Sequence, residues 1–335
     1  MTQTQWTKPA LLETSGSYWK TCALHTGVKL ELFSVIGNGA LTVEYVAQKI
    51  NGDEHGVGTL LNALCAMDLL VKENELYKNS VFSLKFLVKE SPDYTGFIIM
   101  HHHHLVDSWN RMSESVLSGK PCRQKVSTSV ETERESFLMG MFNIAMGLAP
   151  SFAKEIDLSE KKRFLDFGGG PGTYAIHFCM ENPGMTGTVF DLPTTRVFAE
   201  RTIERFGLKD RIDFAEGSYV DETVHLEKVY DVAWISHNLH GEGPDEAARV
   251  VRHAVSAVKP GGMVFIHEFI LNNEKTGPLF PALFSINMLL GTEKGRAYSE
   301  QELVAMLERN GVVDVKRIDL KAAVTSAVVC GRVEG

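Results

Sequence analysis

A run of glycines follows a short apolar segment near the middle of the chain, in Leu165-Asp166-Phe167-Gly168-Gly169-Gly170-Pro171-Gly172. The four glycines permit tight backbone turns and place no side chain in the way of a ligand. Pro171 suits the first turn of a following helix, because its ring fixes φ and its missing N–H is not needed there. The sequence therefore predicts a strand that turns sharply into a helix, with accessible backbone at the turn.

From Lys161 onward, short β-rich runs alternate with helical stretches, which is typical of a parallel sheet with helices on both faces. Five runs precede the last helix, at 163–167, 187–190, 212–215, 229–235 and 263–270, and two follow it, at 312–318 and 323–329. Ser299 and Glu302 have the spacing of a capping box at the start of that helix. We expect a doubly wound α/β sheet in this part of the chain.

In such a sheet the ligand binds beyond the carboxyl ends of the strands, where the first strand turns into its helix. Asp191 lies 19 residues past Gly172, after the second run, and its carboxylate can accept hydrogen bonds from both hydroxyls of a ribose. A nicotinamide dinucleotide fits too, since residues 170–175 match the pattern G-x-G-x-x-A. Asp166 favours a sulfonium nucleoside, because a carboxylate beside the loop attracts a cation and repels a pyrophosphate. The alternative is that the glycine turn binds no ligand and only packs the strand against the helix.

The predicted cofactor site has further members near the ends of the second and third runs. Leu192 follows Asp191 directly, and Ser218 and Tyr219 are placed to line an adenine, although ordinary loop residues would look the same in the sequence. The complete predicted set is Asp166, Gly168, Gly169, Gly170, Gly172, Asp191, Leu192, Ser218 and Tyr219.

Residues 1–95 have a different pattern. A helix is predicted from Leu11 to Ile36, ended by Gly37 and Gly39, then two shorter helices over 43–50 and 60–69, then a polar turn at 73–75 between apolar ends. Three helices and a hairpin in this order predict a winged helix. The segment has eight lysines, no arginine and ten acidic residues, so its net charge of −2 disfavours DNA binding. We expect a dimerisation unit instead.

The 335 residues, 44% of them hydrophobic, suffice for an α/β domain and a smaller unit. We predict a dimerisation domain over 1–95, a helical connector contributing to the substrate pocket over 96–155, and a cofactor-binding domain over 156–335. The net charge of −8 disfavours nucleic acid as a partner. Five single cysteines, no signal-peptide pattern, and an apolar stretch at 279–290 too short for a bilayer predict a cytoplasmic protein without a membrane partner.

Several landmarks together resemble the bacterial and plant small-molecule O-methyltransferase family with an N-terminal dimerisation domain. They are the 165–172 loop, Phe190-Asp191-Leu192-Pro193, Trp234-Ile235-Ser236-His237, Lys259-Pro260-Gly261-Gly262 and Glu268-Phe269-Ile270-Leu271. The resemblance covers nearly the whole chain. It implies a Rossmann-like class I methyltransferase sheet with a mostly helical winged-helix domain, S-adenosylmethionine as the cofactor, S-adenosylhomocysteine as its product, and a homodimer.

The resemblance also makes His237 the general base that takes the proton from an acceptor hydroxyl, with Glu268 as the carboxylate near it. A carboxylate there would fix the imidazole tautomer and stabilise its charged form. Two positions depart from the family: Asn238 stands where aspartate typically follows the histidine, and Ala297 stands where a second glutamate is often found. Part of the apparatus that orients the base is therefore expected to be absent.

Other histidines could compete for the role of base. His240 and His267 are close to His237 and Glu268 in the sequence, and His237 itself could be an ordinary histidine at a strand end. His267 and Glu268 are neighbours on a predicted strand, so their side chains should face opposite ways.

The predicted substrate pocket rests on apolar residues of two helical stretches, Phe137, Met141, Met146, Phe284 and Met288, which could equally be ordinary core. We expect methyl transfer to a hydroxyl of an aromatic or polycyclic small molecule. The departures at Asn238 and Ala297 keep open a carbon or nitrogen acceptor, or non-methylating chemistry on the same scaffold. A nicotinamide-dependent dehydrogenase and a winged-helix regulator are further alternatives.

A tract of four histidines, His101-His102-His103-His104, lies in a helical stretch. His101 and His104 can share a helix face, but no matching carboxylate or cysteine accompanies them. We therefore expect no metal, and a partly buried or pocket-edge position for the tract.

Overall fold

The computed structural model describes residues 6–124 and 131–335. It divides into two compact units, Met1–Leu105 and Val106–Gly335. Each unit has its own hydrophobic core.

The first unit is mostly helical. Its elements are α1 (Lys8–Gly16), α2 (Tyr18–Lys29), α3 (Leu32–Ile36), α4 (Val43–Ile50), α5 (Glu54–Ala66), β1 (Leu70–Glu73), β2 (Leu76–Asn79), α6 (Val81–Phe86) and the first part of α7 (Gly96–Asn110). Side-chain oxygens of Thr42, Asp53 and Ser80 accept backbone N–H groups at the starts of α4, α5 and α6. Fully buried Leu32, Phe33, Leu61 and Leu64 belong to the core of this unit.

The prediction of one helix from Leu11 to Ile36 is wrong, because the segment forms three helices. Glu31 adopts a left-handed conformation with φ of 53° just before α3, and a helix cannot continue through it. The predicted hairpin is present as antiparallel β1 and β2. Asn74 and Glu75 at its turn both have positive φ, as a two-residue type I′ turn requires.

The second unit contains the sheet. It comprises α8 (Met112–Ser118), α9 (Glu131–Met146), α10 (Ala149–Glu155), β3 (Arg163–Phe167), α11 (Thr173–Glu181), β4 (Thr186–Asp191), α12 (Arg196–Arg205), β5 (Ile212–Glu216), β6 (Tyr230–Ser236), α13 (Pro244–Ala257), β7 (Val258–Glu268), α14 (Leu279–Gly291), α15 (Glu300–Glu308), β8 (Val312–Ile318) and β9 (Ala327–Val333). The seven strands have the order β5-β4-β3-β6-β7-β9-β8. The capping box of Ser299 and Glu302 at the start of α15 is confirmed.

The predicted parallel sheet is confirmed for the five strands β3 to β7, but β9 is antiparallel to both of its neighbours, β7 and β8. The connection from β8 to β9 contains no helix, and a parallel pairing would need such a crossover. β9 also begins at Ala327, later than predicted, and β7 begins earlier, at Val258.

Alternate residues of the central strands serve two cores, one on each face of the sheet. In β3, Phe164 packs into one core with Phe178 of α11, whereas Leu165 and Phe167 pack into the other with residues of α13. The chain leaves β3 towards β4 on one side and returns on the other side as β6. A crevice is expected outside the carboxyl ends of strands where the order reverses in this way, here those of β3 and β6.

Among the described residues, no single helix is long and apolar enough to cross a membrane. The pair of α9 and α10, bent by 42°, reaches that length and composition only when both helices are taken together.

Candidate active site

The glycine loop lies at the carboxyl end of β3 and leads into α11, as the sequence predicts. Gly168 and Gly170 have φ of 73° and 54°, a left-handed conformation that side-chain-bearing residues rarely adopt. The Gly168 N–H donates to the carbonyl of Phe190 in β4 at 2.7 Å. A Cβ at Gly169 would collide with the carboxyl group of Asp166. The loop therefore lies close to the ends of two strands and leaves its outer backbone free of side chains.

Asp191, at the end of β4, is hydrogen-bonded to this loop. Its Oδ2 accepts the N–H of Gly170 at 2.8 Å, and its Oδ1 accepts the N–H of Leu192 at 2.7 Å and the hydroxyl of Thr195 at 3.1 Å. Burial raises the pKa of the Asp191 carboxyl, and these donors offset part of that effect. Thr195 was not among the predicted site residues, although a threonine four residues after an acidic residue at a strand end could have indicated it.

The segment after β5 lies beside Asp191. The N–H of Gly217 donates to the backbone carbonyl of Asp191 at 2.9 Å. The ring of Tyr219 lies edge-on to that of Phe167, with centroids 6.4 Å apart. Ser218 and Tyr219 are thus brought beside the other predicted cofactor residues, and their contact with an adenine stays a prediction.

Asp166 is fully buried within β3, one residue before its end. Its Oδ2 accepts the N–H of Ala175 at 3.0 Å, while its Oδ1 has no hydrogen-bond partner in the described part of the chain. Burial raises the pKa of this carboxyl to about 7, and the nearby charge of Asp191 acts in the same direction. A buried acid with an unpartnered oxygen, beside a loop without side chains, fits a positively charged nucleoside.

His237 follows β6 and lies next to the glycine loop, since Ile235 of β6 pairs with Phe167 of β3. Its φ of 55° is uncommon for a residue with a side chain and costs roughly 1–2 kcal/mol. The N–H of His237 donates to the carbonyl of His267 at 2.9 Å, which holds this backbone in place. Both ring nitrogens are buried, and neither has a hydrogen bond to any described residue. Such a side chain suits a ligand that supplies the missing partner.

Asn238 connects the histidine to the glycine loop. Its side-chain Nδ2 donates to the carbonyl oxygens of Phe167 at 2.8 Å and Gly168 at 3.1 Å. A Cβ at Gly168 would collide with this amide. The departure from the family pattern at position 238 therefore has a structural role of its own.

Glu268, at the end of β7, lies between two histidines and is 1% exposed. Its Oε2 is 2.8 Å from Nδ1 of His240 and 3.5 Å from Nδ1 of His237. Burial alone would raise the pKa of Glu268, but the two histidines, His240 above all, lower it below its ordinary value. The carboxylate is thus near His237, as the resemblance implies, but its hydrogen-bonded partner is His240.

The ligand atoms of these three side chains lie within 4.8 Å of one another. They form the one group of three histidine, cysteine or acidic side chains that could hold a metal ion in residues 6–124 and 131–335. His101–His104 do not belong to it; Nε2 of His103 instead lies 3.2 Å from Nζ of Lys29. The sequence-based expectation of no metal stays a prediction.

His267 faces the opposite side of the sheet from Glu268, as predicted. Its Nδ1 lies 2.9 Å from the hydroxyl of Ser236 and 3.2 Å from that of Tyr174, and its Nε2 lies 2.8 Å from that of Ser326. Burial lowers the pKa of His267 far below its ordinary value. With both nitrogens occupied, this ring is not available to an acceptor.

Aromatic rings adjoin the two remaining histidines. The ring of Phe269 lies 4.2 Å from that of His237, and the ring of Phe284 in α14 lies 4.7 Å from that of His240, both measured between centroids. Phe280 packs on Phe269 at 4.8 Å. Phe284 is thus brought to the site from the predicted pocket, whereas Phe269 was not among the predicted site residues.

The other predicted pocket residues have different surroundings. Met288 is 8% exposed, one turn beyond Phe284. The sulfur of Met146 in α9 lies 3.3 Å from Nε2 of His177 in α11. A place in the pocket stays a prediction for Met146, Phe137 and Met141. Ala297 is buried, and its N–H donates to the hydroxyl of Ser285 in α14.

Known proteins resemble this chain over nearly its whole length. A family model described as an O-methyltransferase domain matches residues 117–313, and one described as an O-methyltransferase dimerisation domain matches residues 12–89. The 3-hydroxy-5-methyl-1-naphthoate 3-O-methyltransferase of Streptomyces sahachiroi is 29% identical over 330 residues, which are 96% of this chain and 95% of that protein. The N,N-dimethyltransferase OxyT of Streptomyces rimosus is 25% identical over 324 residues, 92% of this chain and of that protein. The solved structure of an O-methyltransferase family protein from Burkholderia thailandensis has a TM-score of 0.87 at 26% identity and covers 99% of both chains.

Proposed function

We infer the reaction of this chain from one premise, that it belongs to the O-methyltransferase family with an N-terminal dimerisation domain. The resemblance seen in the sequence is thereby confirmed. The chain is a methyltransferase, and its cofactor is S-adenosylmethionine. The glycine loop is compatible with a nicotinamide dinucleotide and with a sulfonium nucleoside, and this family uses the sulfonium nucleoside.

We propose that the enzyme methylates a hydroxyl of an aromatic, polyketide-like molecule, with His237 as the general base. The observation that carries this proposal is a buried imidazole at the strand edge that holds the glycine loop, with neither nitrogen hydrogen-bonded to a residue within 6–124 or 131–335. The adjoining rings of Phe269 and Phe284 suit a flat aromatic acceptor. A relative named for a hydroxynaphthoate supports the same class of acceptor.

The residues that would hold the cofactor are those of the loop and its rim. Asp191 would accept a ribose hydroxyl on the lone pair of Oδ2 that its three internal donors leave free. Asp166 would face positive charge, and Ser218 and Tyr219 would line the base. When bound, the cofactor supplies an electrophilic methyl group. The protein then has to hold the acceptor in line and keep water out.

His237 would take the proton of the acceptor hydroxyl on Nε2, which makes the oxygen a better nucleophile. Glu268, 3.5 Å from Nδ1, would stabilise the imidazolium that forms. A general base of this kind contributes about 10²–10⁴-fold to the rate.

His237→Ala and His237→Gln test the proposal. Transfer of a labelled methyl group is first screened over hydroxynaphthoates, including 3-hydroxy-5-methyl-1-naphthoate, and larger polycyclic phenols. With the acceptor so selected, we expect kcat at pH 7 to fall about 10²–10⁴-fold in both variants. Binding of S-adenosylhomocysteine, measured by calorimetry, should be unchanged. His225→Ala, an exposed histidine in the segment between β5 and β6, is the control. Wild-type turnover by either His237 variant would contradict the base role.

A nitrogen or carbon acceptor is the second candidate. It is favoured by the two departures at Asn238 and Ala297 and by a relative named as an N,N-dimethyltransferase. A neutral amine needs no base to attack, so His237→Ala would then keep its turnover. The labelled atom of the product, identified by NMR, distinguishes the two candidates.

The enzyme is further proposed to be a homodimer formed through its first unit. In the described part of this single chain, α1 has no buried residue, although it contains Leu11 and Leu12. A nine-residue helix is marginal in water unless something packs on it. The match to a dimerisation domain over residues 12–89 supports a second copy as that partner.

A further inference from the structure

The carboxylate of Glu268 is shared unequally between two imidazoles. Its Oε2 lies 2.8 Å from Nδ1 of His240 and 3.5 Å from Nδ1 of His237. Its Oε1 accepts the backbone N–H of His240 at 3.3 Å. Both carboxylate oxygens are therefore bound by His240, once through its side chain and once through its backbone.

The hydrogen bond to His240 determines which nitrogen of that ring carries the proton. A carboxylate can only accept, so Nδ1 of His240 carries the hydrogen that Oε2 receives. Without this donor, the buried carboxylate would keep only the backbone N–H groups of His240 and Phe269, both at 3.3 Å. His240 thus holds the charged group of Glu268 at a fixed place inside the site.

The surroundings of the two rings give them different roles. His240 already uses one nitrogen on Glu268, and its ring packs edge-on against Phe284. His237 has no hydrogen bond on either nitrogen to a residue in the described ranges, and Asn238 next to it is bonded to the glycine loop. His237 therefore has ring nitrogens that a ligand can use, whereas His240 orients the carboxylate of Glu268.

We propose that His240 is a positioning residue of the methyl transfer, which holds Glu268 where it can pair with His237 once that ring is protonated. The proposal rests on the proposed function, in which His237 is the base. The acceptor O–H bond breaks, its electron pair stays on oxygen, and a new N–H bond forms at Nε2 of His237. The hydrogen on Nδ1 of His237 then faces the carboxylate that His240 has kept in place.

The pair His240→Asn and His240→Ala tests this role. An asparagine amide can place an N–H near the position of Nδ1, but it has no ring nitrogen that can take up a proton. With the acceptor selected by the labelled-methyl screen, we expect kcat to fall about 10- to 100-fold in His240→Ala, a part of what a general base contributes. His240→Asn should stay within about threefold of wild type, since it keeps the donor. KM for S-adenosylmethionine should not change in either variant, and His225→Ala is again the control.

Two kinetic results would overturn the proposal. Wild-type turnover in His240→Ala would show that the contact with Glu268 is not used. Equal loss in His240→Asn and His240→Ala, with S-adenosylhomocysteine binding intact, would show that the His240 ring itself exchanges protons with the acceptor.

A spectroscopic measurement tests the pairing without any acceptor. In protein labelled with ¹⁵N at histidine, the Nδ1–H of His240 should give a downfield, slowly exchanging signal. It should persist in His237→Asn and disappear in both His240→Asn and Glu268→Ala. A signal lost in His237→Asn and kept in His240→Asn would assign Glu268 to His237, and no protected signal in the wild type would also contradict the proposal. An active His237→Ala, by contrast, would refute the base role and leave this spectroscopic result unaffected.

Discussion

Asn238 is the residue at which a single departure from the family pattern changes what the side chain can do. Its amide donates two hydrogen bonds to the carbonyls of Phe167 and Gly168. An aspartate there could donate neither and would bring its charge against two carbonyl oxygens. Asn238 therefore links the segment of His237, the proposed base, to the glycine loop, the proposed cofactor site.

Replacing Asn238 by Asp should disturb that loop. We expect affinity for S-adenosylhomocysteine to fall about 10- to 100-fold, because two unsatisfied carbonyls and a repelled carboxylate cost roughly 1–3 kcal/mol. Calorimetry of the variant measures it. Asn79 offers a matched control in the first unit, since its Nδ2 donates to the carbonyls of Phe33 and Gly37, both at 2.8 Å. Asn79→Asp should lower thermal stability and leave this affinity unchanged. Unchanged affinity in Asn238→Asp would mean that the loop does not depend on the amide.

At the scale of elements, α2 and α7 meet through a cluster of histidines in the first unit. His25 of α2 is 4% exposed, and its ring centroid lies 5.6 Å from that of His103 in α7. Nζ of Lys29 is 3.2 Å from Nε2 of His103, so a cation already faces this contact. Burial lowers the pKa of His25 to about 4, and the charges of His103 and His102 act in the same direction.

Acid should therefore weaken this packing. In the unfolded chain His25 regains an ordinary pKa of about 6.5, so the unfolded state binds more protons between about pH 6.5 and 4, and stability falls as the pH is lowered through that window. We expect the urea midpoint of the wild type to drop between pH 7.5 and 5.0, and to drop less in His25→Gln. His55→Gln, an exposed position on α5, should behave as the wild type. An equal drop in His25→Gln would remove His25 as the cause.

At the scale of the whole molecule, the unexplained feature is apolar surface on the first two helices. Leu12 is 62% exposed and Trp19 is 69% exposed in the single chain. Large apolar side chains grouped in this way mark a surface that another protein covers. The homodimer proposed above would bury them.

Changing both Leu12 and Trp19 to Ser should convert the dimer to a monomer. Light scattering coupled to gel filtration should give a mass near 37.1 kDa for the variant and twice that for the wild type. Val324, 91% exposed in the second unit, provides the control, and Val324→Ser should keep the wild-type mass. A variant that remains dimeric would place the interface elsewhere.

The amino-acid sequence alone predicts the parts of this protein that depend on residues close together in the chain. The glycines after β3, Asp191 at the end of β4, the β1–β2 turn and the Ser299–Glu302 capping box are local patterns, and each lies where it was predicted. The alternation of strands and helices likewise predicted the sheet, because periodicity reports which faces are buried.

Which of these parts contact one another depends on the three-dimensional fold. The left-handed Glu31 that divides the first predicted helix, and the antiparallel β9, come from packing and chain connection, which the apolar pattern does not encode. The partner of Glu268 is likewise set by the end of β7 and the turn after β6, 28 residues apart in the chain. A difference of less than 1 Å assigns this carboxylate to His240, at 2.8 Å, over His237, at 3.5 Å. Hydrogen bonds depend steeply on distance and angle, and no local spacing in a sequence resolves a difference of that size.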